Sequence, residues 1–319
     1  MSARTTTAYS AAPYPGGHEF AFTILDDTDD STVANVRPIY ELLAGFGYRT
    51  TKTVWPLDCP EGSANFFAAE TLGDKSYREF VRELKRKRFE ITWHGATMES
   101  SDRTRTMAGL EEFRSEFGSY PMIHPNHATN RENIYWGWKR YNTQPIRTLA
   151  RVAHNRGHFE GDEEKSRFFW GDLCRQHLRY VRNFTFYEVN TLRADPEMPY
   201  TLPDTKYVNG WFSTSDAANV SQFLSLFTPD RIDQLRADGG VCILSTHLGK
   251  GFVKNGTVVP AVRRILEYIA AQPVWLATTG EILAHLESRR TMRQRSAASL
   301  LRLEARHVAD RIRGARRWK

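Results

Sequence analysis

The 319-residue sequence has only three cysteines, Cys59, Cys174 and Cys242, and no CxxC pair. This excludes a disulfide framework and a cysteine zinc site, and it fits a reducing, cytoplasmic setting. Long apolar runs are also missing. No stretch approaches the roughly 20 residues that a membrane-spanning helix needs, and the first twenty residues, with Arg4, Pro13 and Gly16 among them, lack the apolar core of a secretory signal. The expectation is a protein neither secreted nor integral to a membrane.

Strong charge is missing from the body of the chain. The net charge is +7, but Glu287 to Lys319 hold eleven Lys and Arg against three acids, a balance of +8 that leaves −1 for everything before them. Nucleic acid is therefore not expected as a partner of the body. Within the basic stretch, Leu300, Leu301, Leu303, Val308 and Ile312 are set among arginines, which reads as one partly amphipathic helix. Such a helix is solvated, binds a polyanionic partner, or is in peripheral contact with an anionic membrane surface. The expected division is a flexible N-terminus over 1–17, one principal domain over 18–287, and a basic helix over 288–319 after a joint near Ser288.

What is present points to an α/β protein. Strand-like runs occur at Glu19–Leu25, Arg49–Trp55, Phe89–Trp93, Tyr120–Ile123, Asn183–Tyr187, Val241–Ser245 and Val274–Ala277. Helical patterns lie over Thr32–Ala44, Ser76–Lys87, Thr104–Phe117, Lys165–Val181, Ala217–Phe227 and Val259–Ala271. Such alternation predicts βα units around a parallel sheet. Residues 125–215 are less regular and rich in Asn, Tyr, Trp and Pro, as expected of loops at the rim of a barrel.

Polar residues suited to catalysis follow the strand-like runs four times: Asp26 and Asp27, then His94, then His124 and His127, then His247. In a parallel barrel all strand C-termini open on one face, so these residues are expected to converge. Adjacent carboxylates can divide the work of cation binding and proton transfer, and neutral imidazoles can ligate a metal or carry protons. The plainer alternatives are a helix cap for the aspartates and hydrogen-bonded burial for each histidine. Tyr135, Trp136, Trp138, Tyr141 and Trp211 offer faces for sugar rings, although aromatic residues more often fill cores.

These segments resemble the polysaccharide deacetylases of the NodB type over roughly residues 18–287. The resemblance rests on Phe22-Thr23-Ile24-Leu25-Asp26-Asp27, on Trp93-His94-Gly95-Ala96-Thr97, on Thr246-His247, and on the closing Trp275-Leu276-Ala277-Thr278-Thr279-Gly280-Glu281-Ile282. It implies a distorted (β/α)7-type barrel and a metal-dependent carbohydrate de-N-acetylase acting on a sugar or polysaccharide precursor. It also implies Asp26 as general base, His247 as general acid, and Asp27 and His94 as ligands of a divalent ion, Zn2+ first and Ni2+, Co2+ or Mn2+ as alternatives.

The sequence departs from the family pattern at three places. Met98 stands where a second ligand histidine is expected, and Thr28 replaces a glycine after the aspartates. His124-Pro125-Asn126-His127 replaces an arginine-proline motif whose arginine orients the base. Glu99, Asp29 or His127 can complete the metal shell, with His127 the preferred replacement. His124, Asn126, Trp136 and Trp211 are the expected substrate contacts. The rival expectation is a degenerate deacetylase barrel that binds glycan without hydrolysis.

Overall fold

The computed structural model describes residues 14–59, 62–63, 69–153 and 158–317. Seven parallel strands follow one another around a nearly closed barrel: β1 Phe20–Asp26, β2 Thr51–Val54, β3 Glu90–Trp93, β4 Ile123–His124, β5 Tyr180–Phe186, β6 Trp211–Asp216 and β7 Val241–Thr246. β7 returns to pair with β1. The seam lies between β3 and β4, where Thr92 Oγ1 of β3 donates to the Ile123 carbonyl of β4. A hairpin of β8 Val253–Lys254 and β9 Thr257–Val258 follows, and β10 Val274–Leu276 pairs with the first half of β1. This is the distorted (β/α)7-type barrel expected from the sequence.

Helices α1 Val33–Gly45, α2 Lys75–Arg86, α3 Arg103–Phe117, α4 Gln144–Ala153, α5 Gly171–His177, α6 Thr191–Ala194, α7 Val220–Leu226, α8 Pro229–Ala237, α9 Pro260–Ala270, α10 Thr279–Arg289 and α11 Ala297–Arg317 complete the chain. β1 and β7 are buried along their whole length, as parallel strands covered on both faces must be. Local signals set several boundaries: Thr32 and Thr278 close capping boxes on α1 and α10, and Gly118 ends α3 in a left-handed conformation.

Several segments differ from the sequence expectation, which placed no helix at α4 or α8 and no hairpin at β8 and β9. The helix foreseen over Lys165–Val181 is confined to Gly171–His177, and Tyr180 and Val181 belong to β5. β6, Trp-Phe-Ser-Thr-Ser-Asp, shows no apolar run. It is buried nonetheless, because Ser213 donates to Asp195 and Ser215 is hydrogen-bonded to Thr191.

Residues 1–13 of the expected N-terminal segment lie outside the described residues. Tyr14 packs on Trp275 and donates to the Gly239 carbonyl at 2.9 Å. The basic C-terminal stretch does form a helix, α11, which lies against β5. Its own Leu300, Leu303, Glu304 and His307 are buried. Among the described residues, no helix is long and apolar enough to cross a membrane.

Candidate metal centre

The parallel register brings the strand ends together. Asp26 pairs with Thr246, so Asp27 and His247 leave neighbouring strands side by side, and Asp27 N–H donates to the Thr246 carbonyl at 2.8 Å. β2 and β3 align Val54 with Trp93, which sets His94 at the end of β3, with its N–H on the Val54 carbonyl at 3.0 Å. His127 follows β4. Asp29, two residues beyond the aspartate pair, projects among these histidines.

Asp29 Oδ1 lies 3.6 Å from His94 Nε2, and its Oδ2 lies 3.6 Å from His127 Nε2 and 3.3 Å from His247 Nε2. Asp29, His94 and His127 are all buried, with one donor atom from each within 4.8 Å of the others. Asp29 Oδ1 is buried without a hydrogen-bond partner, which is uncommon for a carboxylate oxygen at 6% residue exposure. One carboxylate and two imidazoles form a mixed oxygen and nitrogen donor set, suited to a borderline divalent ion such as zinc, cobalt, nickel or manganese. The residues present thus fit a divalent ion.

The surroundings orient these donors. His127 Nδ1 meets Asn130 Oδ1 at 2.9 Å, so Nδ1 carries the proton and Nε2 faces Asp29. Asn130 is itself fixed by the Thr97 and Glu99 carbonyls and by Glu132. The Trp55 ring walls the site, 4.9 Å from His94 and 5.2 Å from His127 between centroids. Met98, at the position of the family's second histidine, packs with Trp55 and Cys59 behind that wall. Glu99 points elsewhere, paired with Arg105 and Ser63.

The two adjacent aspartates have separate environments. Asp26, fully buried, accepts from Tyr40 at 2.8 Å and from Leu248 N–H at 2.8 Å, and pairs with buried Lys52 at 3.0 Å. Its carboxylate is therefore occupied by three partners inside the barrel. Asp27 Oδ2 accepts from Arg182 at 2.8 Å and from Ser245 at 3.3 Å, and Oδ1 lies 4.0 Å from His94 Nδ1. Asp29, rather than Asp27, joins the two histidines in the compact donor set.

Electrostatics follow from burial and these contacts. Burial pushes the His94 imidazolium down to about 3, which leaves the ring neutral. Burial is the largest single influence on Asp27 and Asp29 and opposes their charge, but Arg182, His94 and His247 together outweigh it at Asp27, and His127, His247 and His94 together outweigh it at Asp29, so both stay below the usual carboxylate range. His247 is likewise desolvated, yet Asp29 and Asp27 raise it above its ordinary value. Its Nδ1 donates to the Ala218 carbonyl at 2.8 Å, which leaves Nε2 toward the site. The turn after it closes tightly: a Cβ on Gly249 would sit 2.5 Å from the Asp30 carbonyl oxygen.

The expected substrate contacts are dispersed. His124 is wedged between the Trp93 and Trp170 rings and held neutral by burial, down to about 3. Asn126 spends its amide on Ile134, accepting from its N–H at 2.9 Å and donating to its carbonyl at 3.1 Å. Trp211 begins β6, at the end of the barrel opposite the site. It is 1% exposed, and its Nε1 donates to Thr205. Trp136 lies beneath the Arg140 guanidinium at 3.8 Å. Arg182, Ser245 and Asn130 were not foreseen as site residues. Arg182 and Ser245 sit inside strands, where nothing in a single sequence separates a site residue from a core one.

No protein-family model matches the chain, and no curated protein matches it. Solved structures do. A protein from Mycobacterium smegmatis assigned as a polysaccharide deacetylase is 14% identical, with a TM-score of 0.51, over 91% of this chain and 98% of the other. Puue allantoinase is 12% identical, with a TM-score of 0.52, over 91% and 99%. At such identities the likeness is one of fold, and the chain has the fold of the polysaccharide deacetylases.

Proposed function

We propose that the protein is a metal-dependent amide hydrolase that removes an acetyl group from an N-acetylated sugar or polysaccharide precursor. The observation that carries this reading is the buried Asp29, His94 and His127 set beside Asp27 and His247 at the strand ends. The shared fold, with a deacetylase among its members, supports it. When bound, a divalent ion in this donor set supplies Lewis acidity toward the amide carbonyl.

The chain's own residues divide the rest. Asp27, held ionised by Arg182, takes the proton from an attacking water, and His247 Nε2 gives a proton to the departing amine as the C–N bond breaks. The reading moves the base from Asp26 to Asp27 and the carboxylate ligand from Asp27 to Asp29. The reason is that Asp26 is committed to Lys52, Tyr40 and Leu248.

The test is metal content by mass spectrometry together with acetate release from N-acetyl sugars, with wild type, Asp29→Ala, His94→Ala, Asp27→Asn and Asp26→Asn compared. The expected result is near-stoichiometric metal that falls in the Asp29 and His94 variants and persists in the other two, with acetate release lost in Asp27→Asn. Metal-free wild type after incubation with zinc, cobalt, nickel or manganese, combined with chelator-insensitive glycan binding, overturns it in favour of a barrel that binds without hydrolysis.

A further inference from the structure

A groove of about 610 Å³ runs between the segment carrying Trp136 and α4 on one side and α11 on the other. That volume is within the range of about 300–1,000 Å³ usual for small-molecule sites. Ala128, the chain neighbour of His127, is part of its wall, while none of the candidate ligands lines it. Leu149, Ala150 and Ile312 make its floor and lips aliphatic, and Leu149 is 71% exposed and Ile312 55% exposed. Large aliphatic side chains left open along a concave surface mark a place where an apolar ligand settles.

Charge decides what kind of apolar ligand fits. The lining carries Arg140 and Arg311 and no carboxylate. Arg311 is partnered by Asp216 at 3.5 Å. Arg140 is 8% exposed and has no carboxylate within ion-pair reach among the described residues. It donates to the Asn183 carbonyl, stacks on Trp136, and its Nε is buried without a hydrogen bond. Burial pulls its pKa down to about 9, which still leaves it cationic at neutral pH. A buried, unpaired cation at the edge of an aliphatic groove is costly unless a ligand brings the counter-charge.

We propose that this groove binds an anionic amphiphile, with its aliphatic chain along Leu149, Ala150 and Ile312 and its phosphate on Arg140. The ligand class is a long-chain alkyl phosphate, whose head lies on Arg140 beside the middle of β5. This goes beyond the deacetylase reading and is tested without it, because the readout is binding rather than turnover.

Isothermal titration of the full chain with dodecyl phosphate, below its micelle concentration, is compared with inorganic phosphate and with the uncharged dodecyl maltoside. The expected result is saturable binding of dodecyl phosphate only, weakened about tenfold or more, or roughly 1.4 kcal/mol, by Arg140→Gln and by Leu149→Asp. Leu149 is exposed, so Leu149→Asp leaves the fold intact even if Arg140→Gln does not. Absent binding, equal binding of dodecyl maltoside, equal binding of inorganic phosphate, or binding untouched by Leu149→Asp each overturns the proposal.

Discussion

Arg182 of β5 reaches across the barrel to donate to Asp27 at 2.8 Å, with both side chains almost entirely buried. The same guanidinium group also donates to Ser245 and to the Asn126 carbonyl, so it is held on three sides. A buried carboxylate stays ionised only with such a partner. Arg182→Met is therefore expected to raise the Asp27 pKa and to lower kcat for acetate release about 100-fold, with metal content retained because Arg182 touches none of the three donors. Parallel kinetics and metal analysis check this, and a variant that loses its metal along with its activity would make Arg182 a scaffold residue instead.

Asp26 and Lys52 form an ion pair at 3.0 Å with neither side chain exposed. Removing one partner leaves an uncompensated charge in the core, a change that costs about 3–5 kcal/mol in comparable buried pairs. Lys52→Met is expected to lower the melting temperature strongly, and Lys52→Met combined with Asp26→Asn to recover much of the loss. The double variant should still bind metal. If Asp26→Asn by itself abolished turnover while stability and metal were kept, Asp26 would be the base after all.

How legible this was in the sequence depends on which physical signal each part leaves. β1 and β7 announce themselves as continuous apolar runs, and His94 and His247 follow strands whose ends any parallel barrel gathers on one face. β6 was hidden because its serines and threonines are buried through hydrogen bonds rather than apolar contact. The surroundings of Asp26, Asp27 and Asp29 were not legible either. Which of several neighbouring carboxylates faces a histidine depends on Lys52, Tyr40 and Arg182, which approach from distant strands and a helix. Trp211 shows the opposite case: its type suggested a sugar platform, while its place at the start of β6 makes it core.

Glu132 gives a pH signature outside the donor set. Burial pushes its carboxyl up to about 7, although the Ser101 N–H and Asn130 Nδ2 both donate to it. Because the folded pKa lies above the ordinary value of 4.5, the folded state binds more protons than the unfolded chain between those two values. Stability contributed by this group is thus present at low pH and falls as pH rises from about 4.5 to about 7. Glu132→Gln, which stays neutral, should flatten that part of the stability profile. Thermal melts of both proteins across the interval check this, and parallel profiles would show that Glu132 titrates normally.

The C-terminal helix α11 is predicted to be part of the folded unit rather than an appendage. Arg295, just before it, pairs with fully buried Asp195. Glu304 accepts from the backbone N–H groups of Asn142 and Thr143, and Asp310 accepts from Tyr187 N–H. Leu300 and Leu303 add buried aliphatic surface worth about 1.5–3 kcal/mol each. A chain ending at Glu287 is expected to leave Asp195 unpaired in the core and to melt at a much lower temperature than the full chain. Arg295→Met alone should reproduce a large share of that loss, because it strands the same carboxylate while α11 remains. A truncated chain that melts with the full-length protein would show instead that α11 rests on the barrel without stabilising it, and the basic helix would then be free to act as a separate surface.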